Sequence, residues 1–264
     1  MKKILLCPPA YYDIKYVINP WMDLNNKVDR SKANEQYQAL KDTFLKFNIK
    51  FDELSPDPDL PDQVYTTDLG HVQGSIFIRA NFKYPERQRE AQIAEEYFLN
   101  KGYSVKKLPD NVFFEGGDIL KFGDKYVLGW GKRTSKEASS EISDLLNIEI
   151  LPIELTDPYF YHLDTCFAPI TNDVALINDR ALTKSGIEEI KRLFPTLITT
   201  SPEDNVLFAC NLLNINGNAV LTQGISKDLK EKLSKFVEVV DTVPMSEYLK
   251  GGGSVHCISL ELFD

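Results

Sequence analysis

Residues 119–153 read ILKFGDKYVLGWGKRTSKEASSEISDLLNIEILPI and contain one complete structural repeat. Phe122-Gly123-Asp124 is a hairpin signal, because a turn-forming pair lies between two runs that favour strands. The helical spacing of apolar residues over residues 135–146 predicts a helix, and the β-like run at 148–155 predicts a strand. The stretch therefore predicts a unit of strand, turn, strand, helix and strand.

The same unit recurs along the chain. Hairpin signals follow one another at about 45 to 50 residues, and a helical pattern and a β-like run come after each of them. The four signals are Val72-Gln73-Gly74, Phe122-Gly123-Asp124, Thr171-Asn172-Asp173 and Asn216-Gly217-Asn218. The sequence therefore predicts four units with the same order of strands and helix.

A fifth unit is split between the ends of the chain. Residues 2–7, 31–47 and 49–54 predict a strand, a helix and a strand, while GSVHCISLEL at 253–262 supplies the missing strand. Five units closed into a ring by pairing of the termini explain every segment without a linker. We therefore expect one α/β domain over residues 1–264.

The composition excludes several classes of protein. The 264 residues are 43% hydrophobic and 26% charged, as in globular proteins, and contain no run of 18 apolar residues. The N-terminal apolar run is too short for a signal peptide, so we expect a cytoplasmic protein without membrane contact. A net charge of -9 argues against nucleic acid as a partner and favours a cationic ligand. The four cysteines lack CxxC spacing, so we expect free thiols and no metal.

Polar residues that precede the hairpins are the candidate site. The first strand of each unit starts near the shared axis, so these residues should converge on one central cavity. They are Asp68, Glu115, Asp118, His162, Asp164, Cys210, Asn211 and Cys257. Carboxylates, a histidine and a thiol together favour a nucleophilic active site. The alternative is that the Asp and Asn residues only cap strands and turns.

The segment GGGSVHCISLEL at 251–262 makes Cys257 the candidate nucleophile. A lone cysteine in an apolar run is more often a core residue. Three glycines before it let the backbone approach another group closely, which a core strand does not need. The HxD spacing of His162 and Asp164 predicts two side chains on the same face of a strand, and therefore joint use.

Four motifs carry a family resemblance: VINPWM, FFEGGD, YHLDTCF and GGGSVHC occur in the order found in guanidino-group modifying enzymes. This superfamily comprises arginine deiminases, dimethylarginine dimethylaminohydrolases and amidinotransferases. The resemblance implies a five-bladed α/β propeller of ββαβ units with pseudo-five-fold symmetry. Residues 5–22, 161–167 and 206–216 look most like the cyanobacterial arginine dihydrolase branch.

The resemblance also implies roles for individual residues. It makes Cys257 the nucleophile and His162 the general acid and base, with Glu115 beside His162. It places Asp68 and Asp164 against the guanidinium of a small cationic substrate, with Asp118 also in the substrate site. The chemistry needs no metal or organic cofactor, and the sequence leaves homo-oligomers open.

Three further residues keep two interpretations each. The resemblance places Arg87 and Arg133 against the substrate carboxylate. Arg87 could instead pair with Glu86 or Glu90, and Arg133 could be a solvated residue at a helix start. Asn19 could contact the substrate or form the turn ahead of Pro20.

Asp68 is where the chain departs from the dihydrolase branch, which carries asparagine there. Gly253 and His256 also differ from that branch and make the C-terminal motif look more like deiminases and amidinotransferases. We therefore expect a cysteine hydrolase of arginine or an N-substituted arginine that gives citrulline. The alternatives are a dihydrolase giving ornithine, carbon dioxide and ammonia, an amidinotransferase, and a non-catalytic propeller that binds ribosomes.

Overall fold

The computed structural model describes residues 3–262 and contains five separate three-stranded sheets. The helices are α1 Arg30–Lys46, α2 Pro85–Asn100, α3 Ala138–Leu146, α4 Lys184–Leu193, α5 Pro202–Asn205, α6 Lys227–Leu233 and α7 Ser246–Leu249. The strands are β1 Lys3–Leu6, β2 Lys50–Glu53, β3 Gly70–Gln73, β4 Ile76–Arg79, β5 Ser104–Lys106, β6 Ile119–Phe122, β7 Lys125–Trp130, β8 Leu151–Glu154, β9 Phe167–Pro169, β10 Val174–Ile177, β11 Thr196–Thr199, β12 Leu213–Ile215, β13 Asn218–Thr222, β14 Val240–Val243 and β15 Leu260–Leu262.

Every sheet follows the unit predicted from the sequence. In the sheet of β6, β7 and β8, an antiparallel hairpin is followed by α3 and then by a strand parallel to β7. Three further sheets repeat this order along the chain. In the fifth sheet β1 pairs antiparallel with β15, in the register Lys3↔Leu262, and parallel with β2. The two ends of the chain are therefore paired, as predicted, although Lys2 of the predicted first strand lies outside the described residues.

The turn residues have the backbone conformations that hairpins require. Gly74 and Gly123 lie at φ of 56° and 62°, and the Asn216-Gly217 pair lies at 51° and 79°. In the Asn216-Gly217 turn both central residues have positive φ, which matches the right-handed twist of the flanking strands. Asn and Gly adopt this conformation at low cost in energy. These short turns bring the first two strands of three of the sheets into register.

The core lies between neighbouring sheets. Ile78 of one sheet packs in the same cluster as Leu128 of the next sheet, and α3 covers them with Ile142. Each sheet therefore buries apolar side chains against the following one. Among residues 3–262, the helices are all too short or too polar to cross a membrane.

Two local predictions were wrong. The predicted strand at 253–262 begins only at Leu260, and the residues before it form turns. The Asn211 side-chain oxygen accepts hydrogen bonds from the backbone N–H groups of Ser254 and Cys257, which takes both away from a strand ladder. His162 and Asp164 do not share a strand face, because Leu163–Thr165 is a 3-10 turn that sends them to different partners.

Candidate active site

Three 3-10 turns build the floor of the candidate site. Thr66–Leu69, Gly116–Asp118 and Leu163–Thr165 precede the first strands of three sheets, and neighbouring turns are in contact. Cys257 lies in the turn before β15, and its carbonyl accepts a hydrogen bond from the N–H of Thr67 at 3.0 Å. The residues ahead of the first strands therefore do converge.

The glycines of FFEGGD permit this convergence. A side chain on Gly116 would overlap the backbone carbonyls of Thr67 and Gly70. A Cβ on Gly117 would lie 2.8 Å from Asp68 Oδ1 and 3.0 Å from His162 Nδ1. The two turns can approach each other closely only because both positions lack a side chain.

His162 lies between two carboxylates. Its Nε2 is 2.9 Å from Glu115 Oε2, and its Nδ1 is 3.3 Å from Asp68 Oδ1. Burial opposes the charged imidazolium, but the nearby carboxylates, Asp68 foremost, raise the pKa of His162 to about 9. Burial also opposes the charged form of Glu115, but Arg133 and His162 lower the pKa of Glu115 to about 2. At neutral pH the pair is therefore an imidazolium and a carboxylate.

Cys257 is held by Asn211 and Asp164. The Asn211 amide Nδ2 donates a hydrogen bond to Sγ at 3.0 Å, and the thiol donates to Asp164 Oδ2 at 3.4 Å. Burial, followed by the charge of Asp164, raises the pKa of the Cys257 thiol well above its usual value. The free protein therefore keeps a protonated thiol, and a bound cation would favour the thiolate.

Within residues 3–262, three buried carboxylate oxygens at this site accept no hydrogen bond: Asp68 Oδ1, Asp118 Oδ2 and Asp164 Oδ1. Asp68 Oδ1 still faces His162 Nδ1 at 3.3 Å, whereas Asp164 Oδ1 belongs to the residue whose other oxygen holds the Cys257 thiol. A buried polar atom without a partner is costly, so such an acceptor points to a donor that arrives with a ligand. Asp68 and Asp164 together are suited to a ligand with several N–H donors and a positive charge.

Asp118 contacts the HxD turn. Its Oδ1 accepts a hydrogen bond from the backbone N–H of Leu163 at 2.9 Å, which anchors the turn that carries Asp164. Burial raises the pKa of Asp118 to about 7. Its substrate-binding role stays a prediction, and its observed contact is structural.

Both predicted arginines are buried beside carboxylates. Arg87 Nη1 donates to Asp68 Oδ2 at 2.6 Å, and its Nη2 donates to Glu90 Oε2 at 2.8 Å. The alternative pairing with Glu90 is therefore present in the structure.

Arg133 is not a solvated helix-start residue, because its side chain is only 2% exposed. Its Nη1 donates to Glu115 Oε2 at 3.0 Å, and its guanidinium carbon lies 4.6 Å from the ring centres of Tyr84 and Tyr161. Contact of either arginine with a substrate carboxylate stays a prediction.

Asn19 belongs to the segment between β1 and α1 and contacts the glycine stretch. Its Nδ2 donates to the Gly251 carbonyl at 2.9 Å, and its Oδ1 accepts from the N–H of Trp21 at 2.9 Å. Gly252 has a φ of +87° and lies so close to Asn19 and Tyr161 that a Cβ would be about 3 Å from both. The turn role of Asn19 is therefore present, and the same side chain holds the glycine stretch that precedes Cys257.

The sequence assigns no specific role to two neighbours of the thiol. Asn211 is among the polar residues predicted to converge, and in the structure it holds both the backbone and Sγ of Cys257. His256 places Nδ1 2.8 Å from Asp164 Oδ2. Its position directly before Cys257 could have indicated a site residue. Adjacent side chains usually point in different directions, however, so this position alone does not predict a shared contact with Asp164.

Three buried side chains bring atoms of the metal-ligand type close together. One atom each from Asp68, Glu115 and His162 lies within 4.8 Å of the others. Arg87 and Arg133 already supply positive charge to the two carboxylates. We therefore interpret the group as an ion-pair network around His162.

Comparison with known proteins identifies relatives over the whole chain. Residues 14–264 match the family described as N,N dimethylarginine dimethylhydrolase, eukaryotic. The chain is 33% identical to the N(G),N(G)-dimethylarginine dimethylaminohydrolase of Mycobacterium tuberculosis, over 99% of this chain and 86% of that protein. It is 36% identical to the bifunctional arginine dihydrolase/ornithine cyclodeaminase AgrE of a Nostoc species, over 98% of this chain but only 38% of that protein.

A solved structure is similar to this chain over its whole length. The crystal structure of the N-terminal domain of ArgZ, an arginine dihydrolase from cyanobacteria, bound to its substrate, has a TM-score of 0.94 to this chain at 33% identity. The match covers 100% of this chain and 99% of that domain.

Proposed function

The chain belongs to the N,N-dimethylarginine dimethylhydrolase family, and from this premise we propose that it hydrolyses the guanidinium group of arginine or of an N-substituted arginine, with Cys257 as nucleophile and citrulline as product. The resemblance to guanidino-group modifying enzymes is thereby confirmed, and so is the prediction of a hydrolase of C–N bonds. Membership of an enzyme family speaks against the ribosome-binding alternative.

The observation that carries the proposal is the pair of buried carboxylates Asp68 and Asp164 beside a buried thiol, with Asp164 Oδ1 left without a hydrogen-bond partner. A guanidinium is a planar cation with N–H donors along its edges, and carboxylates bind it by charge-assisted hydrogen bonds. Asp164 Oδ2 is 3.4 Å from Sγ, so a group bound by Asp164 is held next to the attacking atom.

In the proposed reaction, Cys257 loses its proton to solvent as the cationic substrate binds. The thiolate adds to the guanidinium carbon, and a C–S bond forms. His162 is protonated at neutral pH and gives its proton to the departing amine as the C–N bond breaks. Neutral His162 then takes a proton from a water molecule that attacks the same carbon. The C–S bond breaks with its electron pair left on sulfur, the Cys257 sulfur takes the hydroxyl proton of the adduct, and the neutral urea product leaves with the water oxygen.

The arginine dihydrolase relatives supply a second candidate, in which the product is ornithine. Asp68 favours citrulline, because a carboxylate paired with Arg87 suits a guanidinium cation better than a neutral urea. The deciding experiment incubates the protein with arginine, mono- and dimethylarginine and agmatine, and identifies the products by mass. Citrulline without ornithine supports the proposal, and ornithine as the main product would move the protein to the second candidate.

We further propose that the five sheets are the blades of a single α/β propeller spanning residues 1–264. The antiparallel pairing of β1 with β15 supports a closed ring. The absence of any linker-like stretch in the sequence supports a single domain. We also propose, separately from the fold, that the protein is cytoplasmic.

A further inference from the structure

Asp164 Oδ2 has two neighbours that compete for it. His256 Nδ1 lies 2.8 Å away and the Cys257 thiol 3.4 Å away. The other oxygen, Oδ1, is buried without a partner. The charge on this carboxylate opposes ionisation of Cys257, so any cation on Oδ2 makes the thiolate easier to form.

The surroundings of His256 favour its charged form. Burial opposes the imidazolium, but the hydrogen bond with Asp164 and the charges of Asp164, Glu261 and Asp68 raise the pKa of His256. The side chain is 14% exposed and lines two small cavities together with Glu261 and Lys121. Lys121 of β6 is the cation on this side, and His71 of β3 lines one of the cavities. Burial lowers the pKa of His71 to about 3, which leaves His71 neutral.

We propose that His256 is a positioning residue for the cysteine chemistry: as an imidazolium it fixes Asp164 through Oδ2, offsets the charge that opposes the Cys257 thiolate, and leaves Oδ1 free for the substrate guanidinium. This inference rests on the proposed function for the identity of the substrate. The effect on Cys257 itself requires no substrate. The mechanism above does not use His256, so its role is separate from that of His162.

The test measures ionisation of Cys257 in the substrate-free protein. Iodoacetamide reacts with the thiolate to form an S–C bond and release iodide, so the pH dependence of its rate reports thiolate formation. The variant His256→Asn replaces imidazole Nδ1 by an amide N–H donor and removes the positive charge. We expect the midpoint of the Cys257 alkylation profile to rise by about one pH unit, a roughly tenfold slower reaction at pH 7.5.

The matched control is His71→Asn, which changes a buried neutral histidine in the same cavity wall and should leave the midpoint in place. Peptide mass analysis separates Cys257 from Cys7, Cys166 and Cys210, with Cys257→Ser as the blank. An unchanged midpoint in a His256→Asn protein with wild-type melting temperature would overturn the proposal.

A second measurement on the wild type covers the case in which the variant fails to fold. The chain has three histidines, so ring resonances of labelled histidine can be assigned. The His256 ring should titrate above the ordinary value of 6.5, and titration below it would refute the proposal. Failure of the substrate assignment would leave both measurements valid, because neither contains substrate.

Discussion

Glu115 gives the sharpest test of the acid and base assigned to His162. Its Oε2 is 2.9 Å from His162 Nε2, and both side chains are buried. Replacing Glu115 by Gln keeps a hydrogen-bond acceptor and removes the charge that stabilises the imidazolium. Hydrogen bonds to charged groups contribute about 1.5–3 kcal/mol, which corresponds to about one to two pH units at 1.36 kcal/mol per unit.

The expected result follows from the sign of this effect. Loss of a carboxylate disfavours protonated His162, so the pKa of His162 should fall from about 9 to about 7 or 8. A general acid acts only while it holds its proton, so the alkaline limb of the pH profile of kcat should move down by the same amount. The assay follows amine release from arginine between pH 6 and 10 under saturating substrate.

A control variant and a stability measurement make the result interpretable. Glu95→Gln removes a carboxylate from a partly exposed ion pair with Arg79, away from the site, and should leave the profile in place. Glu115→Gln also leaves Arg133 without its counter-charge, so stability must be measured alongside. An alkaline limb that stays near pH 9 in a folded Glu115→Gln protein would refute the assignment of His162 as the acid.

Three other expectations concern the nucleophile, a buried arginine and the product. Cys257→Ser should abolish turnover while arginine still binds. Intact-protein mass spectrometry should detect a covalent adduct in quenched wild type and none in Cys257→Ser, and near wild-type turnover of the variant would exclude Cys257 as the nucleophile. Arg87→Ala removes the arginine partner of two buried carboxylates, Asp68 and Glu90, and should lower the free energy of unfolding in urea by about 3–5 kcal/mol. Arg89→Ala breaks ion pairs of an exposed arginine and should cost about 1 kcal/mol or less, so equal losses would contradict this expectation. Asp68→Asn should lose most of its rate and raise the ratio of ornithine to citrulline, and an unchanged ratio by mass would show that Asp68 does not control the product.

Local sequence patterns were enough to predict the repeating unit and most of the residues at the candidate site. Hairpin turns and helical patterns depend on local backbone preferences, so Asn216-Gly217 and the segments around it could be interpreted without tertiary information. The ring of units then predicted that Glu115, His162, Asp164 and Cys257 would meet.

Which of these groups pair with one another depends on the folded arrangement of the chain. Asp164 and Cys257 are 93 positions apart, and neither motif shows that they share a hydrogen bond or that His256 holds the same oxygen. The HxD pattern suggested one strand face, but a 3-10 turn separates the two side chains. Pairing of charged groups depends on distance through space and on burial, and both are set by how the five sheets pack. The local pattern of a sequence does not contain that information.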